Sequence, residues 1–228
     1  MSASDHPPPA LVVTLASLTV VSGFIDAVSF LGLGHVFTAN MTGNVLLIGF
    51  GVAGAAGFSV AASSCALGAF LAGAIIGGRL ARHVRTLRNL LVMAMAIEAA
   101  CTTSAAVIAG VVPAVGSGWP RYVVLALLAG AVGLRNSAVR RVGVPDMSTT
   151  VLTTTLTHLA SGTRFTDGLH APARLGTTSV VSMFGGALVG AVLLLHAGAT
   201  WSLGVAAAAV SITAAFCYRT VASDLTAR

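Results

Sequence analysis

The chain contains no lysine. Its 12 basic residues are all arginine, set against 6 acidic residues, and charge occupies only 8% of its 228 positions. A soluble domain carries about 25% charge, so a soluble enzyme, a disordered tail and a secreted disulfide module all fit poorly. Cysteine is scarce too. Cys65, Cys101 and Cys217 stand inside apolar stretches with no CxxC or His-rich spacing, which argues against a disulfide framework and a zinc site. They read as small core residues. Aromatics make up 6% and are not interleaved with the arginines, so the basic excess does not read as a nucleic-acid surface. The first basic residue is Arg79, and before it only Asp5 and Asp26 are charged. A cleaved signal peptide needs a positive region ahead of its apolar core. Met1–Ala10 has none, so the apolar run from Leu11 is expected to be retained.

What is present in quantity is apolar surface: 56% of residues are hydrophobic and mean hydropathy is +0.95. A helix crossing a hydrocarbon core of roughly 30 Å needs about 20 such residues. Runs of suitable length are Leu11–Leu33, Ala61–Gly78, Asn89–Val112, Tyr122–Val139, Leu175–His196 and Thr200–Tyr218. Two further segments are more polar: Asn40–Val60, interrupted by Gly43, Gly49, Gly51, Gly54 and Gly57, and Ser148–Ser161, rich in threonine. The expected fold class is all-α, a polytopic transmembrane helical bundle forming one membrane domain. Residues 1–10 are its N-terminal tail, 11–112 and 113–219 two transmembrane halves, and 220–228 its C-terminal tail.

The halves resemble each other. Gly23-x-x-Asp26 is matched by Gly133-x-x-Asn136, Thr38–Asn44 falls opposite Thr149–Thr155, and Gly73-x-x-x-Gly77 falls opposite Gly186-x-x-x-Gly190. The offsets are 110, 111 and 113, close to half the chain, which predicts an internal duplication. Arginine clusters at Arg79–Arg88 and Arg140–Arg141 belong on the cytoplasmic side. If the two polar segments cross fully, there are eight spans and both termini lie outside. If they are short or re-entrant helices, there are six full spans, both termini lie in the cytoplasm and the halves become inverted repeats. The second arrangement also brings Arg164, Arg174, Arg219 and Arg228 inside, and the positive-inside count favours it.

The most distinctive stretch runs from Gly23 to Gly49. Gly23-x-x-Asp26-Ala27 is followed by Phe37-Thr38-Ala39-Asn40-Met41-Thr42-Gly43-Asn44, with Asn136, Arg140-Arg141 and the Thr149–Thr157 run in the second half. On these residues the chain resembles the YoaK-like family of small bacterial membrane proteins, over nearly its whole length. The resemblance implies a polytopic membrane protein of uncharacterised function and supplies neither substrate nor catalytic residues.

The candidate site residues therefore come from physical chemistry. Asp26 lies within an apolar span, where a carboxylate costs on the order of 2.5–3.5 kcal/mol and needs a partner, water or a proton. It reads either as a coupling carboxylate or as a structural acid. Arg135 and Asn136 sit at the repeat-equivalent position, and Arg135 is expected to pair with Asp26 or, failing that, with Glu98; the alternative is that it snorkels to the interface. Thr38, Asn40, Thr42 and Asn44 cluster donors and acceptors where a span should be dry, and a helix starting near Asn40 would aim its first N–H groups at a cavity. Thr149, Thr150 and Thr153 are their counterparts. Both sets read alternatively as hydrogen-bonding glue between helices. His35 and His158 could relay protons, though each reads more simply as an interfacial hydrogen-bonder. The GxxxG pairs predict close helix packing, within the fold or in a homodimer.

Duplication with polar broken helices at membrane depth points to a small transporter or permease in the cell membrane, taking a small polar or anionic solute between its halves. The alternative is a non-catalytic structural or partner-binding subunit. An enzyme is disfavoured, because HExxH, GxSxG and Cys–His clusters are all missing. Partners are the bilayer and the solute, with no nucleic acid; no metal, cofactor or catalytic residue is expected.

Overall fold

The computed structural model describes residues 9–84, 86–112, 115–142 and 171–224. Across them the chain forms helices α1 Pro9–Gly32, α2 Met41–Val52, α3 Val60–His83, α4 Leu87–Val111, α5 Gly118–Val142 and α6 Ala171–Asp224. Five are long and apolar enough to cross a membrane, α2 being the short one. The apolar part of α6, Gly176–Thr220, is 45 residues long, about twice what a bilayer requires. It breaks at Gly198, whose φ of 81° and ψ of 175° are not helical. Glycine adopts that conformation without the penalty a Cβ would bring. The segment Ser148–Ser161 lies outside the described residues.

Two buried clusters mark the ends of the bundle. One gathers Leu11, Leu15, Ala81, Leu90, Leu91, Ala138 and Cys217, and carries Arg79, Arg82, Arg88, Arg140 and Arg141 nearby in sequence. The other gathers Leu33, Val36, Ala62, Ala109, Val124 and Leu203. Thus α1 and α4 run away from the arginine end, whereas α3, α5 and the second limb of α6 run toward it. The first limb of α6 runs beside α1, because Gly186 and Gly190 meet Val20 and Phe24 while Gly32 meets Leu194. The connections from α1 through α5 are short, and three helix starts are capped by side chains: Asn40, Ser59 and Thr86 accept from the N–H groups of Gly43, Ala62 and Asn89, as N-cap side chains do.

The GxxxG glycines are spent within the chain. A Cβ at Gly73 would run into the Gly130 carbonyl oxygen, and one at Gly133 into that of Phe70. In the other half, a Cβ at Gly186 would run into the Val20 carbonyl oxygen, and one at Gly23 into that of Met183. Gly77 and Gly190 complete the set: a Cβ there would lie 2.6 Å from the Leu134 and Phe24 carbonyl oxygens respectively. Residues 20, 24 and 23 are offset from 130, 134 and 133 by 110, and residues 73, 77 and 70 from 186, 190 and 183 by 113. The same backbone-on-backbone contact is therefore built twice, α3 on α5 and α6 on α1. Small residues permit this close approach, which is how helices associate where no hydrophobic force acts between them.

A prediction follows from the space around each glycine. Gly73→Ala and Gly186→Ala are expected to destabilise by similar amounts, about 1–3 kcal/mol, since backbone must shift. Gly68→Ala and Gly185→Ala, with nothing within 4 Å of the added Cβ, should be neutral or slightly stabilising. Thermal unfolding in detergent measures all four; equal losses at Gly68 and Gly73 would contradict the packing.

Outside these contacts the surface is apolar. Val45, Leu46, Phe50, Ile75, Ile76, Phe184 and Leu188 are all exposed, which water would penalise and lipid does not. Many hydroxyls inside the helices are satisfied locally: Thr14, Thr19, Thr102 and Thr213 donate to the carbonyl four residues earlier, which keeps those donors from facing hydrocarbon.

Candidate functional site: a buried polar column

The chain doubles back after α1. Gly34 and His35 take positive φ, 94° and 57°, and the His35 Nδ1 lies 3.2 Å from the Gly57 carbonyl oxygen. The entry to α2 and the exit from it thus meet at the loop end of the bundle. Between them the backbone dips until Thr38–Asn40 reach Asp26, and α2 then returns. The helix ends at Val52, earlier than the apolar pattern to Val60 suggests, because Gly54 and Gly57 adopt φ of 85° and 87°.

At the bottom of this dip the N-terminus of α2 faces Asp26. The Asp26 Oδ1 accepts from the N–H groups of Thr38 at 2.8 Å and Ala39 at 2.7 Å, and from the Thr38 hydroxyl at 3.3 Å. Its Oδ2 accepts from the Asn40 N–H at 3.1 Å. A carboxylate on a helix N-terminus gains from both charge-assisted hydrogen bonds and the helix dipole. The donors expected to face a cavity are therefore held by a carboxylate of the same chain. Asn44, fully buried, closes the loop: its Oδ1 accepts from the Phe37 N–H at 2.9 Å and its Nδ2 donates to the Phe37 carbonyl at 2.6 Å. Asn40 is half-buried, and Thr42 faces outward.

Arg135 takes the second of its two expected partners. Its Nη1 lies 2.7 Å from Glu98 Oε1, both side chains being 4% exposed or less. Its Nη2 donates to Ser22 Oγ at 2.8 Å and, more weakly, to Asn136 Oδ1 at 3.5 Å. Ser22 precedes Asp26 by four residues and so shares its face of α1. Glu98, Arg135, Ser22, Asp26, Thr38 and Asn44 form one buried column linking α4, α5, α1 and α2. Ser22 is the member that residue type alone does not reveal; its spacing from Asp26 is the available signal. Thr149, Thr150 and Thr153 lie outside the described residues.

The column is where the doubled contact pattern stops. At the offset of 110, Asn136 stands opposite Asp26 and Arg135 opposite Ile25. The buried residues Leu90, Leu91, Ala94, Met95 and Glu98 of α4 recur, offset by 112, as Ser202, Leu203, Ala206, Ala207 and Val210 of α6. Glu98 thus corresponds to an apolar valine. A cavity of about 390 Å³ opens further along, at the loop end, lined by Gly32, Ala109, Val115 and Thr200 among others.

The family profile described as "Protein of unknown function (DUF1275)" matches residues 14–216. The chain belongs to this family. It is also 31% identical over 147 residues to the UPF0700 transmembrane protein YoaK of Bacillus subtilis (strain 168), a match covering 64% of each chain. The chain thus spans a little under two thirds of that relative's length. No solved structure matches. DUF1275 membership, a transmembrane relative and five apolar helices make this an integral membrane protein. The residue stretch on which the family resemblance rests, Gly23–Asn44, is the one that forms the Asp26 cap.

Proposed function

We propose that the protein is a small-solute transporter of the cell membrane, with its substrate path along the buried column at the junction of the two halves. In this reading the first and second halves are inverted repeats, each contributing three full spans and one short re-entrant helix. The opposed directions of α1 and α5 and the twice-built glycine contact support it. The arginine end is cytoplasmic, as the positive-inside rule requires, and both termini lie there with it. The observation that carries the transport reading is the re-entrant α2, whose N-terminus stops at membrane depth against a buried acid. Such discontinuous helices place polar backbone at the substrate site of many transporters. Asp26, Thr38, Asn40, Asn44, Arg135 and Asn136 are the residues proposed to line or control the path, with Thr149, Thr150 and Thr153 as their second-half counterparts; Thr42, which faces outward, is left outside it.

One observation favours a second reading, a structural or partner-binding subunit: Asp26 and Asn44 already occupy the donors that a solute would use. Flux separates the two. Purified protein in liposomes should move a member of a panel of small labelled carboxylates, phosphate and sugars. Arg135→Gln should slow that flux roughly tenfold or more, equivalent to about 1.4 kcal/mol, and Thr42→Ala should leave it unchanged. Absence of flux across the panel from protein shown to be folded and inserted would favour the subunit.

A further inference from the structure

The two buried acids of the column differ in one respect. Both oxygens of Asp26 are used, by three backbone N–H groups and one hydroxyl. Glu98 has Arg135 on Oε1, while its Oε2 is buried and accepts no hydrogen bond among the described residues. A buried carboxylate oxygen without a donor is costly, and the cost is removed by anything that brings a hydrogen to it. The smallest such ligand is a proton.

Charge counting points the same way. Asp26, Glu98 and Arg135 sum to −1 when all are ionised, and one proton makes the column neutral. A proton on Asp26 would weaken N–H bonds already directed at both oxygens, whereas Glu98 Oε2 accepts none among the described residues. On α1 the only other charged group is Asp26. On α3 Cys65 stands near the start and Arg79, Arg82 and His83 in the last turns, and on α5 Arg121 and Tyr122 stand near the start and Arg140 and Arg141 near the end, with Arg135 between them. On α6 Arg174 lies in the first turn, His196 beside the Gly198 break, and Cys217, Tyr218, Arg219 and Asp224 in the last turns. On α4 itself Arg88 is in the first turn and Cys101 lies one turn beyond Glu98.

We propose that Glu98 Oε2 is a proton-binding site, and that a proton there passes the Arg135 guanidinium from Glu98 to the Asp26 side of the column. With Glu98 neutral, Arg135 loses its counter-ion but keeps its bond to Ser22, one helical turn from Asp26. A turn rises about 5.4 Å, within the reach of a long flexible side chain. The charge on Arg135 is then balanced by Asp26, and the column as a whole is neutral. As a coupling device this rests on the transport reading; as a proton site it does not.

The test is infrared difference spectroscopy of the reconstituted protein between mildly acidic and mildly alkaline buffer. A buried protonated carboxyl band, shifted by deuterium oxide, is expected on acidification and is lost in Glu98→Gln. Glu98→Asp should retain a band, and Asp26→Asn should move its appearance to more acidic pH without abolishing it, since Arg135 then has nowhere to go. If Glu98→Gln folds poorly, the pair Glu98→Gln with Arg135→Gln, which removes both members of the ion pair and leaves Asp26 ionised on the N–H groups at the start of α2, must also lack the band. A band that survives either Glu98→Gln form, a band abolished by Asp26→Asn, or no band at any pH would overturn the proposal. Flux does not enter these readouts, so loss of the transport reading and loss of the proton site are told apart.

Discussion

Replacing Asp26 with Ala is expected to destabilise the protein by on the order of 3–5 kcal/mol, among the largest effects of any single substitution outside the ion pair. The change removes one acceptor group but strands three backbone N–H donors, those of Thr38, Ala39 and Asn40. Each hydrogen bond to a charged group contributes about 1.5–3 kcal/mol, and each stranded donor costs about 1–3 kcal/mol. Water replaces such partners at a protein surface, but Asp26, Thr38 and Ala39 are buried. Part of the loss is recovered if the loop relaxes, which is why the expected total is below the simple sum. Asp26→Asn should fall between wild type and Ala: its remaining carbonyl oxygen can keep the Thr38 and Ala39 bonds while its amide confronts the Asn40 N–H. Amide hydrogen exchange localises the effect. Protection at residues 38–40 should vanish in Asp26→Ala, ahead of any change in α4 or α5. A variant as stable and as protected as wild type would mean that Asp26 does not hold the N-terminus of α2.

How far such sites can be read from residue order depends on which interactions are local. The long helices are legible because twenty apolar residues in a row have few other solutions. The start of α2 is legible as well: Asn40 followed by Gly43 is an N-cap signal. Its end is harder, since Gly49, Gly51, Gly54 and Gly57 are alike in sequence, and only the last two take positive φ. The partner of Arg135 was open between Asp26 and Glu98 for a different reason. Helical period tells which residues share a face, but not which way that face turns toward other helices. It also does not show that the chain doubles back, and that return engages Asp26 before Arg135 can. Ser22 escaped for the same reason: a serine in an apolar helix normally satisfies itself on its own backbone, as this one also does with Leu18.

The twice-built glycine contact adds a further point. Where α3 on α5 matches α6 on α1, it does so through glycines and carbonyls, and the contact carries no charge. Where they differ, at Asp26 against Asn136 and Glu98 against Val210, the difference is ionisable. The two helix pairs thus share a packing contact and differ in electrostatics.

The charge balance of the column makes the second large prediction, an inequality between two partners of one salt bridge. Arg135→Gln leaves Asp26 and Glu98 with no cation, a sum of −2. Glu98→Gln leaves Arg135 and Asp26, a sum of zero, one helical turn apart through Ser22. Breaking a buried pair by removing one partner costs about 3–5 kcal/mol because an uncompensated charge remains. That full cost is expected for Arg135→Gln, whereas Glu98→Gln should lose roughly 1–2 kcal/mol, nearer the value of a single hydrogen bond to a charged group. The double variant should fall between them, since it retains one unpaired acid, Asp26, whose charge the α2 N-terminus already stabilises. Thermal or denaturant unfolding of the three variants in one detergent gives the cycle directly. Were the pair isolated from Asp26, the two single variants would be equally damaged, and a Glu98→Gln loss matching that of Arg135→Gln would show that the column does not act as one electrostatic unit.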